Sequence, residues 1–254
     1  MERNVLFARN TGLVSAEEQL RLWETCILIA GTGGDGGLLA ERLARTGIGH
    51  LILADPEAFE PTNINRQYAA NRLTMGVNKA TAVAKELALM NPGMKITVCA
   101  EGVTEENVAG MVRQADLVVD EIEYTMPSVS VLLHRAARQQ GKHVFMGANI
   151  GWGASVFCFP PGGVTFEEHF SYNEVNGTIN PMAYMKEKPT YITDDFAAAV
   201  LAGVVPMPAV SASVSLAAAV LASEITWFIT GIRKPVTVPQ FISIDLFDLT
   251  IHKS

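Results

Sequence analysis

Cysteine is scarce: the 254 residues hold three, Cys26, Cys99 and Cys158, each isolated in an apolar, strand-like run. No two form a CxxC pair, which excludes a zinc site built from two such pairs, and no zinc is expected. Lone thiols in apolar runs read as buried and free, as in a reducing cytoplasm. A basic excess is missing too. Lys and Arg number 19 against 26 Asp and Glu, a net charge of −7, so neither nucleic acid nor an anionic membrane is expected as a partner. The five histidines, at 50, 134, 143, 169 and 252, share no metal-ligand spacing. The opening MERNVLFARN has no apolar run behind its charges and does not read as a secretory signal. Charge is absent from Phe196 to Ser223, yet Gly203, Pro206 and Pro208 interrupt that stretch. The expectation is a shorter apolar helix, buried or at a subunit interface, and no membrane span.

With 49% hydrophobic residues, the chain can bury a sizeable core. Residues 14–24 read as an amphipathic helix, with Ser15 as N-cap and Glu18 three residues on. From Cys26 strand and helix patterns alternate: strand 26–30, helix 38–46, strand 49–55, helix 79–89, strand 95–100, helix 105–114 behind a Thr104 cap, strand 117–120, helix 127–140 and strand 142–146. A further strand, 155–159, ends in Pro160-Pro161-Gly162-Gly163. This alternation predicts an α/β fold, a doubly wound, Rossmann-like, mostly parallel sheet flanked by helices. Residues 165–195 are polar, aromatic and aperiodic and read as a long functional loop. A closing helix over 209–230 and late strands near 241–245 and 249–252 supply a C-terminal antiparallel extension. The whole reads as one domain: an arm over 1–25, a nucleotide-binding half over 26–163, a crossover and acceptor loop over 164–208, and the closing elements over 209–254.

Gly31-Thr-Gly33-Gly34-Asp-Gly36 joins a strand to a helix, and Asp55 ends the next strand. The first glycine permits the turn, the second lets backbone approach a phosphate, and the third lets helix and strand pack; Asp55 suits ribose hydroxyls. Such a turn fits any adenine nucleotide. The discriminating residues follow in Asn63-Ile-Asn-Arg66-Gln67 and in Lys79 at a helix start. An arginine and a lysine beside a nucleotide suit a triphosphate that is to be broken, and a cation in a first helical turn opposes the macrodipole unless an anion faces it. Asp120, at a strand end in the same crevice, reads equally as a Mg²⁺-facing carboxylate or as a turn cap.

In this order, Arg9, the glycine turn, Asp55, Asn63 to Gln67, Lys79 and Asp120 resemble the ThiF/MoeB/ubiquitin-activating enzyme superfamily across nearly the whole chain. Ala202 to Pro206, the apolar helix and FISIDLFDL resemble that family's crossover, closing helix and last strands. The resemblance implies a homodimer that binds ATP and Mg²⁺ and adenylates a carboxylate, releasing pyrophosphate. It implies ribose at Asp55, phosphate or ribose contacts at Asn63, Arg66, Gln67 and Lys79, metal at Asp120, and Arg9 reaching the partner's ATP. The acceptor is the tail of a ubiquitin-like or sulfur-carrier protein, or a small acid. His169 to Tyr191 would line its path, with Tyr172, Asn173, Asn176, Asn180, Tyr184 and Tyr191 as candidates by composition. Residues 165–203 contain no cysteine, so no thioester step is expected. The family's acid-x-x-Asp-Asn stretch reads here Asp120-Glu-Ile-Glu123-Tyr124. Two other readings use fewer of these residues: a nicotinamide-dependent oxidoreductase, which leaves Asn63 to Gln67 and Lys79 idle, and a non-catalytic nucleotide-binding scaffold.

Overall fold

The computed structural model describes residues 3–202 and 204–253, so Gly203 of the expected crossover lies outside the described residues. The amino-terminal arm holds a short helix α1 (Arg3–Leu6) and a 3₁₀ turn (Ala8–Asn10), then α2 (Ala16–Glu24), closed at its start by the Ser15/Glu18 capping box. Five strands alternate with helices: β1 (Cys26–Ala30), α3 (Gly34–Thr46), β2 (His50–Ala54), α4 (Lys79–Met90), β3 (Lys95–Cys99), α5 (Val108–Gln114), β4 (Leu117–Asp120), α6 (Pro127–Gln139) and β5 (Val144–Ile150). After β6 (Gly153–Phe159) come α7 (Phe166–Phe170), α8 (Asp194–Leu201), α9 (Ser211–Thr230), β7 (Ile242–Asp245) and β8 (Thr250–Lys253).

The strands form one eight-stranded sheet in the order β3-β2-β1-β4-β5-β6-β7-β8. The first five are parallel; β6 pairs antiparallel with β5, β7 with β6, and β8 with β7. The mostly parallel sheet with a C-terminal antiparallel extension is therefore as the sequence pattern reads, with β6 belonging to the extension. Strands β1, β4 and β6 are buried along their whole length, the continuous apolar pattern of strands covered on both faces. Leu39, Leu43, Val83 and Leu221 pack over one face with Ile27, Ile29 and Phe145; Met111, Val131, Leu133 and Phe170 pack over the other with Leu28, Val118 and Phe157.

The helix α9 is long and apolar enough to cross a membrane, but it lies against α3, β5 and β6 and buries Val214, Ala218, Leu221 and Ile225 in the core. Its one charge, Glu224, is buried and paired with Arg233.

Four expectations need correction. The helix expected over 38–46 starts at Gly34, because the glycine turn is itself its first turn. The helix expected from 105 starts at Val108: Thr104 and Asn107 exchange side-chain bonds that hold a turn instead. The segment 165–195 contains α7, the 3₁₀ turn Pro181–Tyr184 and the start of α8, each begun by a local cap at Thr165, Asn180 or Thr193. Those helices are too short to show a period. Cys26 and Cys158 are buried, with thiols pushed up by that burial to about 11 and about 12, whereas Cys99 at the edge strand is only half-buried.

A side chain at Gly36 would sit 2.0 Å from the Gly31 carbonyl oxygen, so Gly36→Ala must move backbone; at Gly110, in α5, nothing lies within 4 Å of an added Cβ. Gly36→Ala is expected to cost about 3 kcal/mol or more, and Gly110→Ala to add about 0.5–1 kcal/mol. Urea denaturation of the two variants checks the opposite signs.

Candidate functional site

Where the chain passes from β1 to β2 on one side and returns to β4 on the other, the strand ends part and leave a crevice, the usual ligand position of such a sheet. Here it is a cleft of about 240 Å³. Its floor is the glycine turn. Gly31 has φ +93°, a conformation that favours glycine, and a Cβ there would lie 2.1 Å from the Glu121 carbonyl oxygen. Its amide donates to the Ala54 carbonyl at 2.8 Å, and the Glu121 amide donates to the Ala30 carbonyl at 2.7 Å, so three strand ends are tied around the turn. Gly31, Gly33 and Gly34 line the cleft; Gly36 does not, and serves packing.

Of the expected ligand residues, Asp55, Arg66, Gln67 and Lys79 come together in this cleft with those three glycines. Lys79 opens α4, whose N-cap Asn78 accepts from the Thr81 amide and donates to the Asp55 carbonyl at 2.7 Å. That tie places Lys79, 6% exposed, with Nζ donating to Glu57 Oε2 at 2.6 Å. Arg66 stands half-buried at the rim, its guanidinium donating to the Thr62 carbonyl and to Asn65 Oδ1. Gln67 is buried against Gly33, and its Oε1 has no partner.

The remaining expected residues stand elsewhere. Asn63 is buried and caps its own turn, its Oδ1 accepting from the Glu60 amide at 3.0 Å; it does not line the cleft. Arg9 is exposed on the 3₁₀ turn of the arm and is not among the lining residues. Asp120 is fully buried: Oδ1 accepts from the Ile122 amide at 3.0 Å and Oδ2 meets His134 Nε2 at 3.1 Å. It acts as an internal turn acceptor, and the open carboxylate of this stretch is Glu123, exposed to the cleft. Asp55 lines the cleft with both oxygens engaged, Oδ2 by the Thr32 amide and hydroxyl and Oδ1 by the Glu57 amide, so the open acid on that side is Glu57. Among the six candidates of the polar segment, Tyr184 lines the cleft. Tyr191 instead donates to Asp245 Oδ2, Tyr172 packs in the core, and Asn173, Asn176 and Asn180 hold local turns.

Four acids or amides of the site were not expected: Asp35, Glu57, Glu121 and Asn149. Alternation in an extended chain places Glu57 on the side of Asp55, a readable signal. Asp35 was legible only as a carboxylate inside a glycine run, and Asn149 only once β5 is seen to continue past Met146. Asp35 accepts from Asn149 Nδ2 at 2.8 Å through Oδ2, while its Oδ1 is buried without a partner. Burial pushes its carboxyl up to about 7, against the pull of the Asn149 bond and of Arg66. Glu121, whose Oε1 accepts from the Gly147 amide at 2.9 Å, is also pushed up, by burial first and then by Asp35. Glu123 is raised by desolvation, with Arg66 pulling it back. Val103, Ile122, Met126, Val129, Pro181, Met207 and Ala209 supply the apolar part of the lining. Among the described residues no three His, Cys, Asp or Glu are grouped to hold a metal ion unaided.

The ThiF family profile matches residues 7–254. The tRNA threonylcarbamoyladenosine dehydratase of Escherichia coli K12 is 35% identical over 126 residues, 49% of this chain and 47% of that protein. The sulfur carrier protein ThiS adenylyltransferase of Bacillus subtilis 168 is 30% identical over 146 residues, 57% of this chain and 43% of that one. The chain thus spans about half the length, or less, of these curated relatives. In solved structures, E. coli MccB with ATP superposes with a TM-score of 0.70 at 20% identity, covering 93% of this chain and 65% of MccB. PaaA superposes equally well, TM-score 0.70 at 22% identity and the same coverages, so the fold is shared.

A carboxyl held above its unfolded value keeps its proton more tightly in the folded chain. The stability tied to Asp35 is therefore complete below about pH 4 and is lost as pH rises towards its folded value of about 7. Asp35→Asn is expected to raise the melting temperature by about 5 °C at pH 8 and to leave it nearly unchanged at pH 4, as paired thermal scans will read.

Proposed function

The chain belongs to the ThiF family, and from that premise we propose that it is an ATP-dependent adenylyltransferase that activates a carboxylate and releases pyrophosphate. The observation that carries this reading is the meeting of Arg66 and Lys79 with the glycine turn in one cleft. A cofactor returned intact has no need of two cations at its phosphates; a triphosphate split at its α-phosphorus does. The name of one curated relative, the ThiS adenylyltransferase of Bacillus subtilis, supports it, and the fold is one that a solved structure shows together with ATP.

In this scheme the base lies against Val103, Ile122 and Met126. The ribose hydroxyls donate to Glu57, whose carboxylate is open where Asp55 is engaged. The glycine-turn backbone and Gln67 approach the phosphates. Arg66 and Lys79 neutralise charge that develops on them, Lys79 exchanging its bond to Glu57 for one to a phosphate oxygen. The acceptor carboxylate oxygen bonds to the α-phosphorus as the bond to the β-phosphate oxygen breaks, and no protein nucleophile takes part. Mg²⁺ carried on the phosphates would be held by Glu123 and would supply charge neutralisation; one open carboxylate fits an ion that keeps most of its ligands from phosphate and water. Arg9, exposed on the arm, would complete the site from a second copy in a homodimer.

ATP–pyrophosphate exchange tests the reading. Arg66→Ala and Lys79→Ala are each expected to lower kcat by about 10²-fold. Exchange undamaged in Arg66→Ala, or tighter binding of NAD than of ATP with Mg²⁺, would reverse it.

A further inference from the structure

The adenylation scheme leaves Asp35 and Asn149 unused, and the Oε1 of Gln67 with them. Asp35, 7% exposed and half-way along the glycine turn, presents a buried Oδ1 with no partner. The Oδ1 of Asn149, whose Nδ2 is already given to Asp35, and the Oε1 of Gln67, itself 7% exposed, are also buried and unpartnered, and all three residues line the same cleft. Three oxygens therefore wait for donors. Neither a triphosphate nor a carboxylate can supply them, since both bring acceptors alone. Charge runs the same way: Asp35, Asp55, Glu57, Glu121 and Glu123 face Arg66 and Lys79 before any anionic substrate enters. A buried polar atom left unmatched is costly, so an arrangement of this kind is retained where a ligand matches it.

The geometry points to an acceptor that carries a free primary ammonium beside the carboxylate it presents, that is, a free amino acid, with the ammonium received by Asp35, Asn149 and Gln67. An ammonium has three donors, no acceptor and a positive charge, whereas a primary amide brings two donors, an acceptor and no charge. Asn149 lies near the end of β5, where the Gly151 amide donates to the Pro208 carbonyl, whereas Val103, Ile122 and Met126, given to the base, follow β3 and β4. An ammonium beside Asp35 also favours the charged form of that carboxyl and offsets the charge it would set against the triphosphate.

This inference rests on the adenylation reading, and one experiment separates the two. ATP–pyrophosphate exchange is measured with the twenty free amino acids, with each corresponding deamino acid, and with a peptide ending in Gly-Gly whose α-amine lies far from its carboxylate. The expected result is exchange with at least one amino acid and a kcat/KM about 10²-fold lower for its deamino analogue. Asp35→Asn should narrow that gap below about tenfold by raising KM for the amino acid, and Asn149→Leu should act in the same direction if the first variant folds poorly. Equal exchange with the deamino acid, or exchange with the peptide and none of the amino acids, overturns the ammonium site and leaves adenylation standing. Exchange with no probe overturns both.

Discussion

The close approach of backbone to backbone at the glycine turn is the constraint on which the site depends. Gly31 lies under the Glu121 carbonyl and Gly36 against the Gly31 carbonyl, at separations no Cβ tolerates. The approach lets β1 tie to β2 and β4 at their carboxyl ends, and it starts α3 at Gly34, with its first turn facing the cleft. On the proposed reading, a nucleotide phosphate at this point would meet the amides at the start of a helix. It also forces the residues after β4 up over the turn, which is why Glu121 and Glu123 reach the cleft and Asp120 does not.

Around that turn the electrostatics are divided by role. Asp55 is an internal acid, spent on the Thr32 and Glu57 amides, and it shapes the loop that leads to Lys79. Glu57 is the exposed acid of the same loop and keeps Lys79 positioned until an anion competes for it. A carboxylate next to a lysine holds a long side chain in place, which lowers the entropy cost of ordering it when an anion binds. Asp35 and Glu121 are different, since burial raises both, for Asp35 even against the pull of Arg66. Buried acids weaken the fold at neutral pH, and the ammonium proposed for this cleft would give them a use, a trade between stability and activity.

Much of the fold was legible because its parallel strands are short apolar runs that alternate with capped helices. Cys26–Ala30, Leu117–Asp120 and the Ser15 cap read directly from local sequence. The short helices α7 and α8 were not, since at five and eight residues their caps signal more strongly than their period. The cations of the site were legible for a chemical reason: Arg66 follows on β2, the strand after the glycine turn, and Lys79 stands in a first helical turn, where a cation opposes the macrodipole. The acids were harder. Asp55 and Glu57, like Asp120 and Glu123, are carboxylates two or three residues apart, and which one is turned inward is decided by neighbours distant in sequence, Thr32 for one pair and His134 for the other.

The pair formed by Asp120 and His134 shows how the second of those choices is made. Asp120 ends β4, at zero exposure, and His134 comes from α6, held between the rings of Phe159 and Phe166 at 4.8 Å from each. A carboxylate at that depth needs partners for both oxygens. The imidazole supplies one and the Ile122 amide the other, and accepting that amide bends the chain at the end of the strand. With the bend in place, Glu121 turns to the Gly147 amide and Glu123 turns outward opposite Arg66. The inward acid thus spends both oxygens inside the protein and sets the direction from which the outward acids approach the cleft. The family-like spacing of an acid at a strand end and a second acid three residues on is then a structural requirement before it is a chemical one. The first member anchors the bend, and the second carries the charge to the cleft.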